Sequence, residues 1–212
     1  MSRVREMLIS GEPGAGKTLL LLKLMKEFDN VIWVTTTRTA KTLRKILKND
    51  DIWIIDAYAG TNVSTHPRNL VVSNPFNLNE INMKISQVLD QIKGETLVIL
   101  DSITGLLLYH DLRKVVHFVK NALVKVKEKG ASSVFTLVKH AHDSQTKTSL
   151  YAMFSTVVEL LKKDNKETRR FVRIVKSVEY VEPNFGEVKI VRDDIILPGH
   201  IMDYIMRVLK SR

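Results

Sequence analysis

Short apolar runs alternate along most of the chain with stretches in which apolar residues recur every three or four positions. The runs "VREMLIS", "VIWVTT", "DIWIID", "NLVVS", "ETLVILD" and "SSVFTLV" predict strands. Between them, residues 17–28, residues 38–48, "LNEINMKISQVLDQIK" and Leu112–Lys129 predict helices. In the last of these, Leu112, Val115, Val116, Val119, Leu123 and Val126 share one helical face. Strands that read as continuous apolar runs and are joined by helical crossovers predict an α/β fold: a mostly parallel central sheet with helices on both faces.

After about residue 155 the pattern changes. "STVVELLKK", "TRRFVRIVKSVEYV" and "GEVKIV" predict strands joined by short polar turns, an antiparallel C-terminal extension of the same sheet. The closing "HIMDYIMRVLKSR" carries Ile201, Ile205 and Leu209 four apart, the spacing of a docked helix. No proline- or serine-rich linker and no internal repeat divides the 212 residues, so one domain over 1–212 is expected.

Composition narrows the function classes. With no cysteine, disulfides, thiolate catalysis and cysteine metal sites are excluded. No run approaches the roughly 18 apolar residues that a spanning helix needs, and the first residues lack a signal-peptide pattern, so a cytoplasmic location is expected. A net charge of +10 favours an anionic partner without saying whether that is nucleotide, nucleic acid or a membrane surface.

The chemistry is concentrated in "LISGEPGAGKTLLLLKLMKEF". An apolar run leads into Gly11, Glu12, Pro13, Gly14, Ala15, Gly16, Lys17, Thr18 and Leu19, and an apolar helix follows. This is the strand, glycine loop and helix of a P-loop. The glycines let successive N–H groups converge on phosphate oxygens, Lys17 neutralises the β and γ phosphates, and the Thr18 hydroxyl can ligate Mg²⁺. The expected ligands are therefore a nucleotide and Mg²⁺. In "TLVILDSITGLLLY", the buried run Leu97 to Leu100 delivers Asp101 to a strand end, where it would hold magnesium through water. Ser102 then reads as the cap of a following helix.

"SGEPGAGKT", "VIWVTTTRTAKTLRK", "LVILDSITGLLLY", "GASSVFTLV" and "VVELLKKDNKETRRFVRIVKSVEYV" together resemble the RecA-superfamily ATPases of the KaiC and archaeal RadA-paralogue type, over nearly the whole chain. The resemblance implies ATP bound beside the P-loop, often between subunits of a ring or filament. It also exposes departures. Where the family carries glutamates after the second strand, in a pattern like "VTFEET", this chain has "VTTTRT", with Thr37 and Arg38 at the glutamate positions. A threonine is a poor substitute for a carboxylate base, whose contribution is typically about 10²–10⁴ in rate. The family's "K-x-R" matches only at Lys176, because Val178 stands at the arginine position. The chain starts at the first strand, so the N-terminal domain and polymerisation linker of a recombinase are not expected.

Two weaker candidates for a catalytic role are Asp56, ending "IWIID", and His140, following the strand after Asp101. "KHAHDS" brings His140, His142 and Asp143 together, but a metal site there lacks a second ligand cluster. Lys163, Lys166, Arg169, Arg170 and Arg173 form the best nucleic-acid candidate, equally readable as a solvated hairpin. Two functions follow. One is an ATP-binding accessory factor in recombination and repair with weak hydrolysis, whose partners would be single-stranded DNA or a RadA-like recombinase. The other is an ATP-bound regulatory or assembly subunit, like the KaiC homologue of the archaellum motor, without a DNA role. Either could form a homo-oligomer or a hetero-assembly.

Overall fold

The computed structural model describes residues 5–58, 65–164 and 167–210. In chain order the elements are β1 (Glu6–Gly11), α1 (Lys17–Met25), β2 (Asn30–Thr35), α2 (Ala40–Leu47), β3 (Trp53–Asp56), β4 (Asn69–Val71), α3 (Leu78–Leu89) and β5 (Thr96–Asp101). They continue with α4 (Ile103–Leu107), α5 (Leu112–Glu128), β6 (Ser132–Val138), α6 (Ser144–Met153), β7 (Thr156–Asp164), β8 (Thr168–Lys176), β9 (Phe185–Val191), β10 (Asp194–Ile196) and α7 (Gly199–Leu209). The expected mostly parallel sheet with helices and antiparallel C-terminal strands is the observed one. The short α4 follows Asp101 directly and is the helix that Ser102 was expected to cap. Helix α6 was not anticipated: it occupies "SQTKTSLYAM", where only Leu150 is buried and the apolar periodicity is too weak to read.

The chain divides into two compact units. One holds the described residues up to Glu27 and from Thr136 onward, the other Phe28–Phe135, and β6 passes from the second into the first. In the Phe28–Phe135 unit the strand order is β6-β5-β2-β3-β4, all parallel, with Thr35 paired to both Asp101 and Asp56. Every residue of β5 is buried, the condition that makes an all-apolar strand readable. Helices α3 and α5 pack on one another, each through an apolar face including Ile81, Ile85, Val115 and Val119.

In the other unit the order is β10-β9-β8-β7-β1, with β7 parallel to β1 and β8, β9 and β10 antiparallel in turn. Alternation along β7 sends its side chains to opposite faces. Thr156 meets the buried Tyr204 of α7, their oxygens 3.3 Å apart, whereas Glu159 on the other face accepts from Tyr151 of α6 at 2.8 Å. The terminal helix is docked as its spacing predicted, with Ile201, Ile205 and Leu209 fully buried.

Candidate functional site

The loop after β1 has the backbone geometry that an anion would fit. Gly14 and Gly16 have φ of 75° and 106°, the left-handed region that a side chain disfavours. A Cβ on Gly16 would also lie 2.9 Å from Ile195 Cδ1, so that side chain would have to shift. Gly11 is confined by backbone, since its Cβ would lie 2.7 Å from the Leu160 carbonyl oxygen. Helix α1 opens at Lys17 with Gly16 as N-cap, no side-chain cap and no acidic residue in its first turn. Its positive end is therefore not answered by any side chain of the first turn. The Lys17 ammonium donates to the carbonyl oxygens of Gly11 at 2.7 Å and Glu12 at 2.9 Å. A loop of this kind fits a phosphate chain: it offers backbone donors, a helix N-terminus and one ammonium.

The loop's surroundings come from β6 to β10. The Lys139 amide donates to the Gly11 carbonyl at 3.0 Å, joining the end of β6 to the start of the loop. His140 takes a left-handed φ of 64° and lies 3.6 Å from the Glu12 carboxylate, so the structure brings this weak candidate beside the loop. On β8, Arg170 donates through Nε to the Gly14 carbonyl at 3.1 Å. Lys162, its cross-strand partner on β7, is the side chain nearest to Gly14's open side. Lys23 of α1 and Asp194 of β10 form an ion pair at 3.0 Å.

A second cluster lies on the opposite face of β7. The fully buried Glu159 carboxylate is 2.7 Å from Arg173 Nη2, 3.3 Å from Lys147 Nζ and 3.5 Å from Lys139 Nζ, and it accepts from the Tyr151 hydroxyl. Burial alone would raise its pKa. The hydrogen bonds from Arg173 and Tyr151 and the charges of Lys139 and Lys147 overcome this and take it down to about 2. Burial pushes the Tyr151 phenol well above its ordinary value, and the neighbouring Glu159 adds to this. Lys176, the matched lysine of "K-x-R", donates to the carbonyls of Tyr151 and Ala152 at the end of α6, while Val178 is exposed. Asp143 caps α6 by accepting from the Thr146 amide at 2.7 Å.

The basic stripe is split by strand alternation. Arg170 and Lys162 lie on the face of the phosphate loop, whereas Lys163, Arg169, Phe171 and Arg173 lie on the Glu159 face. Arg169 pairs with Glu187 at 3.0 Å, and both Arg169 and Lys163 lie over the Phe171 ring, which stacks on Phe185 at 5.2 Å. Lys166 lies outside the described residues.

In the Phe28–Phe135 unit, β5 ends at Asp101, which is 8% exposed. Thr36 anchors this end: its amide donates to the Asp101 carbonyl, its hydroxyl donates to the Ser102 carbonyl at 2.7 Å, and its oxygen accepts from the Ser102 amide at 2.9 Å. The fit is close enough that Gly105 has no room for a Cβ against Thr36. Ser102 occupies the N-cap position of α4 as expected, but its buried hydroxyl makes no capping bond. Thr37 is exposed, and Arg38 is held by its carbonyl, which accepts from the Thr35 hydroxyl at 2.8 Å. Asp56 is buried and its carboxylate accepts from two backbone amides, Ala40 at 2.6 Å and Tyr58 at 3.0 Å. One of these amides opens α2, so the carboxylate anchors the turn between β2 and that helix.

The fold is shared with a KaiC-like protein, PH0186, from the hyperthermophilic archaeon Pyrococcus horikoshii OT3. The two superpose with a TM-score of 0.70 at 21% identity over 92% of this chain and 89% of the other. The chain thus shares the α/β architecture of this KaiC-like protein, a mostly parallel sheet with antiparallel C-terminal strands. No curated protein matches the sequence. A family of unknown function, DUF7504, matches residues 6–160, from β1 through the first half of β7, and the chain belongs to that family.

Proposed function

We propose that this protein binds ATP with Mg²⁺ in the loop 11–18 and turns it over slowly, serving as a nucleotide-occupied regulatory or assembly subunit. The observation that carries this reading is the contrast between a complete, uncapped phosphate loop and Asp56, the carboxylate ending β3, which is engaged by backbone amides. On binding, Lys17 exchanges the Gly11 and Glu12 carbonyls for phosphate oxygens. The Thr18 hydroxyl would ligate Mg²⁺, and Asp101, by its place at the end of β5, is the residue that would hold the ion through water. The metal would supply charge neutralisation to the phosphates. Without a carboxylate at Thr37, the attacking water has no strong base, and tight ground-state binding by itself gives affinity rather than rate.

Calorimetry with Mg-ATP tests binding: the wild type binds, and Lys17→Ala loses at least about tenfold in affinity, as expected for removing a charge-assisted contact. Wild-type turnover well below about 1 s⁻¹ is expected, and a rate at or above that sinks the slow-hydrolysis part.

A role as a repair accessory on single-stranded DNA is the second reading, favoured by the cation-bearing Phe171–Phe185 pair on the exposed hairpin. Against it, Arg173 is engaged by Glu159, Arg170 by Gly14 and Arg169 by Glu187. Retention on single strands that falls steeply with salt would restore the DNA reading; none at low salt would remove it.

A further inference from the structure

We propose that Arg170, on the C-terminal extension rather than in any nucleotide motif, is a phosphate-binding residue that acts in cis on the bound nucleotide. This rests on the phosphate loop holding ATP as argued above.

The argument is geometric. Lys162 and Arg170 form a cross-strand pair, and alternation turns both toward the loop, away from the Glu159 cluster that holds Arg173. Arg170 spends only Nε on the loop, at the Gly14 carbonyl. Among the described residues its two Nη groups have no hydrogen-bonded protein partner. Asp164, the acid at the end of β7 near it, is paired with Lys162 at 2.6 Å. A half-buried guanidinium bound by one edge to the middle of a phosphate loop keeps its other donors within side-chain reach of what the loop holds. The loop packs against this wall: a Cβ on Gly16 would lie 2.9 Å from Ile195 Cδ1 and 3.6 Å from Ile190 Cδ1, and Lys23 of α1 pairs with Asp194 of β10. Arg170 thus supplies charge compensation from the same chain, where Val178 offers none.

The phosphate series separates charge from scaffolding. Binding of ATP, ADP and AMP by calorimetry is compared for the wild type, Arg170→Ala, Arg170→Gln, Arg170→Lys and Arg169→Ala. Arg170→Ala should weaken ATP by roughly ten- to a hundredfold, ADP less and AMP least. Arg170→Gln, which keeps a donor for Gly14 but no charge, should lose most of this, and Arg170→Lys should recover part. Arg169→Ala should match the wild type, since Arg169 lies on the other face. Unchanged ATP affinity in Arg170→Ala, full recovery by Gln, or an equal loss for all three nucleotides would overturn the assignment. If the wild type and Lys17→Ala bind ATP alike, the phosphate loop reading itself has failed; if Lys17→Ala loses ATP and Arg170→Ala does not, only this inference has.

Discussion

After β1 the chain passes through two left-handed glycines into a helix that no side chain caps; after β2 it passes through threonines and an arginine into α2, capped on Thr39 and on Asp56. Both loops leave the carboxyl end of a parallel strand, where ligands of such sheets bind. In the first, the start of the helix has no side-chain cap, a position that the proposed phosphate would fill. In the second, Thr39 accepts from the Thr42 amide and Asp56 from the Ala40 amide, so the protein satisfies its own helix start. On the proposed function the same element type would serve binding in one place, while it serves internal anchoring in the other, which is the physical form of the proposed separation between holding ATP and cleaving it.

The largest expected effect falls on the scaffold beside the first loop. Glu159→Gln leaves Arg173, Lys147 and Lys139 without the buried charge that gathers them. Breaking a buried ion pair costs about 3–5 kcal/mol, and because Arg173 and Lys147 reach solvent the lower end, about 3 kcal/mol, is expected in denaturant titration. The pH dependence has a definite sign. A carboxyl whose folded pKa is about 2, against an ordinary 4.5, contributes stability that is fully present above pH 4.5 and is lost as pH falls toward 2. The wild type should lose stability through that window more steeply than Glu159→Gln. Equal slopes would remove Glu159 from the account.

Asp56→Asn sharpens the other half of the comparison. The amide retains one acceptor oxygen where the carboxylate has two, so one of the amides of Ala40 and Tyr58 is left facing an NH₂ group. A loss of about 1–3 kcal/mol is expected, with ATP turnover unchanged. Loss of turnover with stability preserved would instead identify Asp56 as the base, and the two loops would no longer differ in kind.

Much of this was legible beforehand because the informative signals were local. The apolar runs ending at Gly11 and Asp101, the glycine spacing and the helical period of Leu112–Glu128 each lie within about twenty residues. What was not legible depends on contacts distant in sequence. Glu159 reads as an interruption in "TVVELLKK", and its partners Lys139, Lys147, Tyr151 and Arg173 span β6, α6 and β8. The basic stripe looked continuous because charge was read without the alternation that sends Arg170 and Arg173 to opposite faces. A period-two reading of "TRRFVRIVK" alone would have separated them. The dual use of Asp56 as an anchor had no sequence signal, since a strand ending in Asp reads the same whether it meets a ligand or an amide.

The smallest effect is expected where the comparison is sharpest, at Thr37→Glu. Thr37 is exposed and follows Thr36, whose hydroxyl is engaged with Ser102, so a new side chain at 37 can be accommodated without disturbing the end of β5. Stability should therefore change by no more than about 0.5 kcal/mol. A well-placed base contributes about 10²–10⁴ in rate, but only when the water is held in line and the carboxylate is oriented by its surroundings. Among the described residues, no hydrogen bond holds the Thr37 side chain within the Thr35 to Arg38 turn, and Val178 supplies no charge for the phosphates. Turnover should rise several-fold and stop short of tenfold, measured as phosphate release under saturating Mg-ATP with affinity unchanged. A rise of a hundredfold or more would mean that the turn after β2 was already shaped for catalysis and lacked only its carboxylate. No rise at all, with ATP bound normally, would mean that the water is not presented to this loop.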